Sequence, residues 1–183
     1  MAAGEYPYVL QLQKSKGFLI TTAALELSRN QITHFFSWKK NTVEMLRLLY
    51  LLLDRYRGCR KLYFSWDAAS WHSSKRLRRH VDRINALDYR RERDTAEVEL
   101  VPLPASAQFL NVIESVFSGM ARAIIHNSDY QSVVETMSAI DRYFAERNEA
   151  FRLHPERAGK KIWREELVPA DFDEAHNCKD PRW

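Results

Sequence analysis

Apolar and polar positions change period several times along the chain, and each change marks an element. Residues 18–27, FLITTAALEL, are dense in apolar and β-branched side chains, as a strand requires. A polar SRNQ turn at 28–31 leads into ITHFFSW at 32–38, which reads as the returning strand of an antiparallel hairpin. Helix signals start at Asn41, a good N-cap with Glu44 in the capping-box position, and run to Tyr56 before Gly58. The wide apolar surface of that helix (Val43, Met45, Leu46, Leu49, Leu52, Leu53) predicts packing on a sheet. KLYFSW at 61–66 is apolar without clean alternation, as in a strand covered on both faces.

Residues 73–87 read as a helix with Leu77, Val81, Ile84 and Leu87 inward, 88–97 as a charged loop, and 98–104 as a short strand closed by prolines. Two amphipathic helices follow. One spans 109–125, with Leu110, Ile113, Phe117, Met120 and Ile124 at helical spacing. The other spans 130–148, with Tyr130, Val133, Val134, Met137, Ile140 and Phe144 inward. From 148 onward the pattern is irregular. Strands alternating with helices predict an α/β fold, a mixed sheet flanked by helices, in which ligands gather at the carboxyl ends of strands. Asp67 stands at such an end.

Composition narrows the class. With 183 residues, 45% hydrophobic and 28% charged, the chain is sized for one soluble domain. The longest apolar run, MLRLLYLLL at 45–53, is far short of a membrane span and contains Arg47. The N-terminal residues lack signal-peptide features, so a cytoplasmic location is expected. Cys59 and Cys178 have no CxxC partners, which excludes a zinc spacing and leaves free thiols. The net charge is +4. Residues 72–93 hold eight Lys and Arg against three Asp and Glu, a local +5 that exceeds the whole chain's balance. That concentration points to a polyanionic partner, while a solvated helix face is the plainer reading of the same residues.

Each candidate residue has an ordinary role open to it. Asp67 suits a strand end, His72 a helix start, and Glu114 the third position of a capping box begun by Asn111. The combination is more specific. DAASWH at 67–72, after a buried strand, and LVPLPASAQFLNVIE at 100–114 resemble the second and third catalytic blocks of D-D-E transposases. The nearest likeness is to the mariner-like superfamily of bacterial insertion-sequence transposases, with its D-N-A-x-x-H and L-P-x-x-S-P-x-L-N-P-I-E patterns. Asp67, Ala69 and His72 match the first pattern; Leu103, Pro104, Ser106, Leu110, Asn111, Ile113 and Glu114 match the second. Ala68, Ala107 and Val112 depart from it, and the interval from Asp67 to Glu114 is longer than in that superfamily. The segment at 141–163 resembles the C-terminal region of a bacterial branch.

The resemblance implies an RNase H-like domain over residues 1–165 with an irregular tail at 166–183, acting by phosphoryl transfer on DNA. It implies Asp67 and Glu114 as catalytic ligands of Mg²⁺ or Mn²⁺, with His72 and Asn111 in support. Lys75, Arg76, Arg79 and Arg83 are then the DNA-contacting residues. The first catalytic carboxylate of such a site has no counterpart here. Glu5 precedes the hairpin without a strand pattern, and Glu26 lies within it. The resemblance therefore implies a domain lacking its first strand, first Asp and helix-turn-helix domain. It is either completed by an upstream polypeptide or is an inactive DNA-binding remnant, with DNA and an upstream transposase polypeptide or a second copy in a homo-oligomer as the partners implied.

Overall fold

The computed structural model describes residues 17–66, 74–103, 111–126 and 128–159. The expected hairpin forms. β1 (Ile20–Glu26) and β2 (Gln31–Ser37) pair antiparallel, from Ile20 opposite Ser37 to Glu26 opposite Gln31. The turn between them ends on Asn30, whose φ of 57° is left-handed, a conformation asparagine tolerates better than most residues. The Arg147 guanidinium, half-buried, donates to the Asn30 carbonyl at 2.7 Å and to its side-chain oxygen.

Helix α1 (Thr42–Arg55) begins as its sequence dictates, with the Asn41 side chain accepting from the amides of Val43 and Glu44 at 2.9 and 3.1 Å. The capping box is only half made, because the Glu44 carboxylate lies 3.7 Å from Arg47 instead of returning to Asn41. Val43 points to solvent, while Leu48 and Leu49 are both buried, so the inner face is rotated slightly from the expected one. That face spans both strand pairs: Phe35 of β2 and Phe64, Trp66 and Val98 of the second pair join its leucines in one core. Complete burial of a side chain such as Leu49 contributes about 2 kcal/mol.

The second pair is β3 (Lys61–Trp66) and β4 (Glu97–Pro102), parallel as expected and in register from Lys61 with Glu97 to Trp66 with Pro102. Between them run α2 (Lys75–Ile84) and α3 (Leu87–Arg93). The charged stretch read as a loop is thus helical. A seven-residue, mostly ionised helix with no buried residue carries no apolar stripe to betray it. Leu87 starts α3 and is exposed, so it does not extend the inner stripe of α2, where Leu77, Val81 and Ile84 are buried.

Among the described residues the strands form two two-stranded sheets, one antiparallel and one parallel. One expectation needs correction: β3 is covered on one face only, because Phe64 and Trp66 are buried while Tyr63 is 67% exposed. Lys61, reaching Glu97 at 3.1 Å and Glu99 at 2.9 Å, holds the open face by charge.

The far face of the hairpin is closed by α4 (Val112–Met120) and α5 (Val133–Leu153), around Ile32, Val116, Met120, Ile140 and Phe144. A π-helical turn, Ala121–Ile125, continues α4. Val134 is exposed, contrary to its expected inward position, and α5 extends past 148 to Leu153. The fold is mixed α/β, small sheets flanked by helices, the arrangement of an RNase H-like domain.

One strand of each pair is clipped by a side-chain amide. Asn85, at the end of α2, donates to the Val98 carbonyl and accepts from the Val98 amide, both at 2.8 Å. Asn148 of α5 does the same to Ile32, accepting from its N–H at 2.7 Å and donating to its carbonyl at 2.8 Å. Because Ile32 is buried, Asn148→Ala strands both backbone groups, and a loss of about 1–3 kcal/mol of stability is expected. Urea unfolding measures it; an unchanged midpoint refutes this role.

Candidate active site and nucleic-acid face

The chain brings strand ends and helix starts to one rim. β2 leaves through Trp38 into α1, and β3 leaves at Trp66 toward α2. The two helix starts are tied, since the Thr42 hydroxyl donates to the Ser74 hydroxyl at 3.0 Å and Ser74 caps α2 through the Leu77 amide at 3.2 Å. Sequence spacing could not show this link, which joins positions 32 apart. Asp67 is the next residue after the last of β3. Asp67 and His72 both lie outside the described residues, as do 104–110 of the second motif.

Glu114 is described. It sits in the first turn of α4, exposed, where the unpaired amides of a helix start favour negative charge. The capping-box reading of this turn is corrected: the Asn111 side chain makes no capping hydrogen bond. Its amide instead donates to Glu114 Oε1 at 2.9 Å. Asn111 thereby holds one carboxylate oxygen, and the other has no hydrogen-bond partner among the described residues. A carboxylate so held suits a hard cation, which takes oxygen ligands. Among the described residues no three His, Cys, Asp or Glu gather to hold a metal.

Lys75, Arg76, Arg79 and Arg83 project from α2 into solvent, and none makes an ion pair with another described residue. The basic residues of α3 are partly committed: Arg90 lies 3.6 Å from Glu97 and Arg93 3.6 Å from Glu92. The free positive charge therefore concentrates on α2, beside the rim.

An α/β domain with a solvent-facing carboxylate at a helix start and a basic helix starting on its strand-end rim has the build of a nucleic-acid-processing enzyme. The DDE superfamily endonuclease family matches residues 1–137 of the 183, and the chain belongs to that family. No curated protein and no solved structure matches it. Membership brings a transposase- or nuclease-type function with DNA as substrate, in a family typically dependent on divalent metal. Among the described residues no helix is long and apolar enough to cross a membrane.

Proposed function

We propose that this chain is the catalytic part of a mariner-like bacterial insertion-sequence transposase, with Asp67 and Glu114 as two of its three metal-binding carboxylates. The observation that carries the reading is the Asn111–Glu114 pair. The amide donates to the carboxylate instead of capping the helix, within a motif inside the family match. Mg²⁺ or Mn²⁺, when bound, supplies activation of the attacking hydroxyl and stabilisation of the leaving oxygen. Asp67 and Glu114 hold the ion; Asn111 fixes Glu114; His72 orients Asp67 or the substrate. Lys75, Arg76, Arg79 and Arg83 hold the DNA backbone through its phosphates. The remaining carboxylate comes from an upstream-encoded polypeptide, since Glu5 and Glu26 are poorly suited to it. An inactive DNA-binding remnant is the second reading, favoured by that missing group. The domain covers residues 1–165, with 166–183 as a tail, in a cytoplasmic protein.

Manganese binding followed by electron paramagnetic resonance tests the metal assignment without turnover. Asp67→Asn and Glu114→Gln are each expected to abolish measurable binding. Asn111→Ala should weaken it roughly tenfold, as removal of a group orienting a metal ligand does. Binding indifferent to Glu114→Gln sinks the proposal.

A further inference from the structure

The rim carries an aromatic feature that the metal and phosphate assignments leave unused. Phe18, just before β1, and Trp38, just after β2, meet edge to face with centroids 5.8 Å apart and an interplanar angle of 87°. Both are large and apolar, yet Phe18 is 64% and Trp38 57% exposed. Two exposed lysines, Lys39 and Lys40, follow Trp38 directly, and neither makes an ion pair with a described residue. Four residues beyond Trp38, Thr42 bonds to Ser74, the N-cap of α2, so the aromatic pair stands just before the helix start that is tied to the start of the basic helix.

We infer that Phe18 and Trp38 form a stacking platform for an unpaired DNA base beside the active site, with Lys39 and Lys40 holding the flanking phosphates. The inference rests on the proposed DNA-processing reading and adds a preference for single-stranded substrate at this position. Aromatic faces bind any base by stacking, while neighbouring cations supply the backbone attraction. A duplex offers no free base face except where it is opened or ends. Apolar area left in solvent between cationic side chains matches this ligand. A purely apolar partner would leave Lys39 and Lys40 without counter-charge, and a duplex alone would leave the rings unused.

The test uses the full chain and three labelled DNA probes of equal length in fluorescence anisotropy: oligothymidine, the same strand with abasic sites, and a blunt duplex. The unaltered chain should bind oligothymidine roughly tenfold more tightly than the abasic strand, the order of one stacked base. Trp38→Ala should remove that preference while leaving duplex affinity within about twofold, and Trp38→Phe should restore most of it. Phe18→Ala, at the partner ring, should lower it in part. Lys75→Ala with Arg76→Ala should weaken all three probes together. Equal binding of oligothymidine and abasic strand, or a Trp38→Ala loss shared by the duplex, overturns the platform while leaving the phosphate-binding face of α2 intact. Failure to bind any probe overturns both together.

Discussion

Nicking of supercoiled plasmid by this chain alone, with Mg²⁺ or Mn²⁺, is expected to fall on the order of 10³-fold or more below that of a preparation supplying the third carboxylate. In the proposed site Asp67 and Glu114 would hold divalent metal and a third carboxylate would complete its ligands, so that the metal could stabilise charge developing on the phosphate. Losing one preorganised electrostatic contact costs about 3–4 kcal/mol at the transition state, and losing a metal-binding carboxylate would cost at least that. The comparison is between the chain as it stands and the chain extended by, or mixed with, the upstream polypeptide that the proposed reading requires. Asp67→Ala and Glu114→Ala should each abolish nicking in the supplemented preparation. Efficient nicking by the chain alone, lost in both variants, would mean that Glu5 or Glu26 completes the site. Nicking in neither preparation would favour the inactive remnant.

Removing the four α2 cations together is expected to weaken duplex DNA binding roughly 10²-fold at low salt and to flatten its salt dependence. Each neutralised phosphate contributes about 0.9 to the slope of log affinity against log salt, so four contacts account for a slope of about 3.6. Raising salt from about 50 to 200 mM should then cost the unaltered chain about 10²-fold through this helix alone. The exposure of Lys75, Arg76, Arg79 and Arg83, without ion pairs to other described residues, makes the full effect available. Arg90 is the internal control: it lies 3.6 Å from Glu97, and Arg90→Ala should change the slope little. Binding that ignores salt, or a quadruple variant that binds as before, would return α2 to the role of a solvated helix.

The hairpin, α1, the parallel β3–β4 pair and the inner stripe of α2 were legible because apolar spacing and local caps point the same way in each. Asn41 marked its helix start through a contact three residues long, which sequence can display. The start of α4 was misjudged for the opposite reason. Asn111 and Glu114 have the residue types and spacing of a capping box, but φ −79° and ψ 73° at Asn111 are not those of a usual N-cap, and its amide turns to the carboxylate. Residue type alone does not set that torsion. The helix at Leu87–Arg93 was hidden by its charge, and the bare face of β3 by Tyr63, an aromatic residue that reads as core and stands in solvent. The edge clips at Asn85 and Asn148 were invisible in sequence because asparagine there signals only a turn or a polar surface. Asp67 and His72, at the centre of the motif reading, lie outside the described residues, so their part in the site rests on the motif and on where β3 ends.

The paired asparagine clips also bear on how an assembly could grow. β2 and β4 each present part of a free backbone edge to a side chain of their own domain, at Ile32 and at Val98. A visiting strand is therefore discouraged from docking on either, the route by which sheets usually polymerise. The edges of β1 and β3 show no such clip among the described residues. Sheet growth by strand addition is thereby left to one side of each pair.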